Sequence, residues 1–102
     1  EDLAFAAWTW VALARPSAPS EAAYRLSLMA AAYGDVSALD ILAGVVPRIE
    51  SSIRGISDGQ VAGDPGMVNL AKVGEPGRMA RTLEELRTRL PAIEQALTTR
   101  SY

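Results

Sequence analysis

Few side chains in this 102-residue chain can do chemistry. It has no Cys, so thiolate nucleophiles, thiolate metal sites and disulfides are excluded. It has no His either, which removes the usual general base near neutral pH and the commonest metal ligand. Ser-His-Asp hydrolases and His-ligated zinc enzymes are therefore ruled out for this chain by itself. The nearest carboxylate clusters are Glu84 with Glu85 and Asp35 with Asp40. Neither has the spacing of a calcium loop, and adjacent helical residues point about 100° apart. Both read as solvated faces. Gly59, Gly63, Gly66, Gly74 and Gly77 form no GxxxxGK[ST] or GxGxxG, and no strand precedes them. Lys72 falls inside a helical pattern, so these glycines read as helix ends and turns.

Three residues near the start remain. Asp2 precedes the apolar run LAFAAWTWVALA. An Asp there satisfies the free N–H groups and positive end of a helix, and can do more if something else needs its second oxygen. Trp8 and Trp10 lie about 200° apart on that helix, so they cannot share one core layer. One of them is a candidate to line a cavity rather than merely pack.

The elements that must position these residues are helices, about five of them, with no convincing strand. A first helix runs from Asp2 to Ala14. It is apolar on nearly every side, which implies burial by neighbours on several faces. Arg15-Pro16-Ser17 stops it. A second is capped by Ser17 or Ser20, pairs Glu21 with Arg25, and carries the stripe Ala22, Leu26, Met29, Ala30 and Tyr33 before Gly34 closes it. Ser37 with Asp40 opens a third, whose seam is Leu39, Leu42, Val46, Ile49, Ile53 and Ile56. Asp64-Pro65 starts a short helix to about Val73, and GEPG ends it. A last helix carries Met79, Leu83, Leu86, Leu90, Ile93 and Leu97, with Glu85 and Arg89 paired outside. Pro47 and Pro91 are expected to kink the two long helices.

Hydrophobic content of 49% with 22% charged residues suits a folded chain, large enough for one core. The net charge of −2 gives no electrostatic reason to expect nucleic acid or an anionic membrane. No apolar run reaches the roughly 20 residues that span a bilayer, and the acidic start is unlike a signal peptide. A cytoplasmic location is expected. Lys72 is the only Lys and Ala is abundant, as in proteins encoded by GC-rich bacterial genomes.

The strings DLAFAAWTWVAL, RLSLMAAAYG and AGDPGMVNLAKVG, followed by a long Arg- and Glu-bearing helix, resemble the C-terminal helical subdomain of the aminoglycoside phosphotransferase family. That family belongs to the protein-kinase-like superfamily, and the likeness runs over most of the chain. It implies an all-α subdomain over residues 1–102, the C-terminal part of a larger kinase-like protein. By the motif, Asp2 matches the Asp that braces the catalytic loop, and Trp8 and Trp10 would lie on the helix flooring the acceptor-substrate cleft. ATP and Mg2+ are implied for the parent enzyme, not for this chain. The general base, the magnesium ligands and the phosphate-holding lysine would all precede Glu1. Asp35 and Glu94 are carboxylates that a cationic acceptor would favour.

The resemblance also accounts for an apolar first helix that begins without Met: it would be enclosed by the missing N-terminal part of the same protein. Two further readings stand beside it. One is a non-catalytic helical interaction or dimerisation module that buries the Met79–Leu97 seam against a partner or a copy of itself. The other is a kinase-like remnant that binds a small molecule without chemistry. On the first two readings, exposed apolar helices would favour self-association of the isolated chain.

Overall fold

In the computed structural model, which describes residues 2–11, 13 and 18–100 (Arg100 by its backbone only), five helices follow one another and no strand forms among the described residues. They are α1 (Leu3–Trp10), α2 (Pro19–Tyr33), α3 (Ala38–Val61), α4 (Pro65–Ala71) and α5 (Gly77–Arg100). The all-α expectation holds. The proposed stop at Arg15-Pro16-Ser17, the Ser17 cap and Ala14 lie outside the described residues.

Helix α1 is shorter than expected and ends at Trp10. Val11 and Leu13 are both fully enclosed in the core. On a continuing helix they would point about 200° apart, so the chain leaves the helical path to bury both. Thr9 weakens the last turn by back-bonding its hydroxyl to the carbonyls of Phe5 (3.3 Å) and Ala6 (3.2 Å).

Helix α2 begins at Pro19 after Ala18, with no side-chain cap; Ser20 lies inside the first turn. Proline needs no partner for a missing N–H and has φ already set, which starts the helix without a capping hydroxyl. The Glu21–Arg25 pair forms at 2.9 Å, and Gly34 closes the helix at φ 85°. Ala22, Ala23, Leu26 and Met29 are buried, whereas Tyr33 is 45% exposed and not part of the core.

In α3 the Ser37 hydroxyl accepts from the Asp40 N–H at 3.0 Å, as the capping pattern predicts. The buried face is Ile41, Leu42, Val45 and Ile49; Leu39 is 43% exposed. The core face is wider than the expected seam and turned toward Ile41 and Val45, because α1, α2 and α5 all pack on this helix. Pro47 removes one hydrogen bond, to the carbonyl of Ala43, yet α3 continues to Val61. Ala43 and Pro47 are both exposed, so water meets the vacated carbonyl. Pro91 in α5 follows the same logic beside exposed Arg87.

Helix α4 is capped by Asp64, whose Oδ1 accepts from Gly66 N (3.0 Å) and Met67 N (3.3 Å). It buries no residue fully. Instead the Gln60 amide donates to the carbonyls of Met67 (3.0 Å) and Glu75 (2.9 Å), hanging α4 and the following turn on the end of α3. A Cβ at Gly59 would collide with Met67 Cγ, so glycine is what lets the two helices approach.

The seam of α5 is as expected: Leu83, Leu86, Ile93 and Leu97 are buried and Met79 and Leu90 pack against them. Arg89, expected to pair with Glu85 outside, is half-buried and reaches toward the core. Its Nη2 donates to the Leu13 carbonyl at 2.9 Å. On the outside, Arg87 pairs with Glu50 (2.7 Å) and Glu84 (3.2 Å). The Cα envelope measures 51 × 26 × 16 Å, with a radius of gyration of 14.9 Å. A compact chain of this length has about 13 Å, so the helices form a thin, elongated slab.

Candidate functional site

The head of α1 carries a carboxylate bonded to two helices. Asp2 Oδ1 accepts from the Phe5 N–H at 3.0 Å, the capping role its position predicts. Its Oδ2 accepts from Arg48 Nε, reaching across to α3. The Arg48 guanidinium also donates through Nη1 to the Ser52 hydroxyl, and its Cζ lies 5.0 Å from the centroid of the Phe5 ring. The Arg48 hydrogen bond, followed by the Phe5 N–H, holds the Asp2 carboxyl below its ordinary value. Asp2 and Arg48 remain 44% and 38% exposed, so the pair is wet and contributes orientation more than stability.

Arg48 is a residue that sequence reasoning missed. It lies 46 positions from Asp2, one residue after Pro47, and no spacing rule links two residues that far apart. Only the packing of α1 on α3 brings them together.

The two tryptophans part company, as their angular separation predicts. Trp8 is 5% exposed and belongs to the core. Its edge borders a hollow of about 210 Å³ with Glu75, Arg78, Met79 and Thr82. Trp10 is 58% exposed and, with Ala6, Met29, Ala32 and Tyr33, lines a separate apolar hollow of about 280 Å³ between α1 and α2. The two indoles therefore do not line one common cavity. Trp10 and Tyr33 form its aromatic walls and buried Met29 is part of its lining. Such a surface takes an apolar or ring-shaped group and presents no proton donor or acceptor of its own beyond the indole N–H and the phenol.

Asp35 and Glu94 do not line the Trp10 hollow. Asp35 is exposed in the bend after α2, and Glu94 borders a different groove of about 250 Å³ with Leu39, Leu42, Ala43, Val46, Arg87 and Leu90. Among the described residues no group of three or more Asp, Glu, His or Cys is placed to hold a metal ion. Lys72 caps the end of α4 and is exposed. No single described helix is long and apolar enough to cross a membrane; α2 and α3 reach that composition only together, across a 105° bend. Comparison with protein-family models, with curated proteins and with solved structures returns no match to this chain.

Proposed function

We propose that this chain is the C-terminal, acceptor-side helical portion of an ATP- and magnesium-dependent small-molecule phosphotransferase of the aminoglycoside phosphotransferase kind. In this reading its packing is that of a kinase-like helical subdomain, and the groups that bind nucleotide and metal belong to the part of the protein that precedes Glu1. The chain's own work is positioning. Phosphoryl transfer needs aligned reactants and stabilised charge more than covalent help from the protein, and a rigid helical floor contributes to the alignment.

The observation that carries the reading is the head of α1. A carboxylate held by two partners opens an apolar helix whose exposed Trp10 faces an apolar hollow. A helix end needs only one of those bonds, and an indole 58% exposed beside Tyr33 offers an apolar face to a ring-bearing ligand. Asp2 braces the catalytic loop, and Trp10 with Tyr33 meets the acceptor's rings.

The test is to read the parent gene upstream of Glu1 and assay its complete product. An apolar-Asp pair there, an Asn five residues after an Asp, and ATP-dependent phosphorylation of a hydroxylated cationic acceptor are expected. A gene that starts at these residues, or a complete product that transfers no phosphate to any of a panel of aminoglycosides and small alcohols, overturns the reading.

A second reading, a non-catalytic interaction module, is favoured by exposed Trp10, Tyr24, Leu28 and Tyr33. It cannot use the Met79–Leu97 seam, because Leu83, Leu86, Ile93 and Leu97 are already buried in this chain's own core. Light scattering separates the two: a dimer that Trp10→Ser dissociates, from a gene with no upstream lobe, selects the module.

A further inference from the structure

Arg48 touches three groups with one side chain. Nε donates to Asp2 Oδ2, Nη1 donates to Ser52 Oγ, and the guanidinium sits 5.0 Å from the centroid of the Phe5 ring. Two of these partners are in the head of α1 and one is a turn further along α3. A guanidinium is a planar fork, and contacts to Nε, to Nη1 and to a neighbouring ring together restrict its plane.

The consequence falls on Asp2. A carboxylate that only caps a helix is fixed at one oxygen and free to turn about it. Here Oδ1 is fixed by α1 and Oδ2 by α3, so the plane of the carboxylate is set by two helices at once. Each ionised carboxylate oxygen has room for a second donor, so both oxygens keep an acceptor direction with a defined heading.

We propose that Arg48 is a positioning residue that sets the plane of the Asp2 carboxylate and so ties α3 to whatever Asp2 braces. The proposal rests on the reading of Asp2 as a brace and adds to it a residue from a distant part of the chain. Ser52 and Phe5 hold Arg48 in turn.

The experiment uses Arg48→Ala, Arg48→Lys and Ser52→Ala, with the Asp2 carboxyl followed by carbon NMR titration and folding checked separately by thermal melts. In Arg48→Ala the Asp2 midpoint rises toward that of an ordinary Asp, and in Arg48→Lys it rises less. In the complete phosphotransferase Arg48→Ala lowers kcat by about ten- to a hundredfold with little change in KM. An Asp2 midpoint unchanged in folded Arg48→Ala overturns the proposal. If that variant does not fold, Ser52→Ala decides: a smaller rise sustains the proposal and none overturns it. The brace reading fails by a different result, namely Asp2→Asn leaving kcat intact while the Asp2 midpoint of the parent still answers to Arg48.

Discussion

The guanidinium of Arg89 donates to the backbone carbonyl of Leu13, 76 residues earlier, at 2.9 Å. Leu13 is fully enclosed, so its carbonyl would otherwise face the core of a chain that has just left its helix. Removing the donor leaves a buried acceptor unpaired, a loss of about 1–3 kcal/mol. Arg89→Met keeps the apolar stem and should show that loss in urea or thermal unfolding. A change below about 0.5 kcal/mol, the range of an ordinary surface substitution, would show that water already serves Leu13.

Gly59 and Gly55 lie in the same helix and should respond oppositely to alanine. At Gly55 an added Cβ meets nothing within 4 Å, so the gain in helix propensity is unopposed and Gly55→Ala should stabilise by about 0.5–1 kcal/mol. At Gly59 the new methyl strikes Met67 at Cγ and lies 3.0 Å from its Cβ, close to the backbone of α4 where no flexible tip can yield. Gly59→Ala should destabilise by about 1–3 kcal/mol, the usual range for overpacking. In a Met67→Ala background the same substitution should cost less, since the Cγ clash is gone and only the 3.0 Å Cβ contact remains. A double-mutant cycle by chemical denaturation reads both.

The tryptophans offer a direct optical check. Trp8→Ala removes a core indole and should lower stability by about 3–5 kcal/mol. Trp10→Ala should change it by less than about 1 kcal/mol while removing most of the acrylamide-quenchable fluorescence. Equal quenching of both indoles would contradict the separation of the two hollows.

Acid should weaken the fold partly through Asp2. Its folded-state pKa is lowered, first by the Arg48 hydrogen bond and then by the Phe5 N–H, from an ordinary 3.8. The stabilising contribution is therefore complete above about pH 5 and is lost as pH falls through 3.8 and then through the lower folded value. Asp2→Asn should lack this component. The stability gap between parent and variant, measured by melts across pH 2–6, should close toward the acid end; a gap that stays constant would mean the pair does not titrate as its geometry requires.

Local signals in the sequence were reliable where local chemistry decides. Ser37, Asp64 and Gly34 close or open helices because a hydroxyl, a carboxylate and a residue at positive φ each answer a need within three or four positions. The α5 seam was legible for the same reason: one dominant face meets one core. What escaped was set by distant neighbours. Leu39 and Tyr33 fit their helical stripes yet stay half exposed, because each lines an open groove, Leu39 facing α5 and Tyr33 facing α1, instead of the closed core. Val11 and Leu13 forsake the helix because two buried positions outweigh about one more turn of regular backbone. Of the candidate site, Asp2's capping role and the divergence of Trp8 from Trp10 were legible. The Arg48 link was not, since it depends on how α1 lies across α3.

The hanging of α4 on Gln60 gives the molecule an order of opening. With no side chain of its own sealed in the interior, that short helix is held by a hydrogen bond from the Gln60 amide, with a second to the turn after it, by its Asp64 cap and by the contact with Gly59. Backbone protons of residues 66–74 should exchange with deuterated solvent long before those around Val45 and Leu86, and a protease should find its first cut there. Severing the Gln60 amide with Gln60→Leu would let this corner swing free and leave the rest of the slab intact.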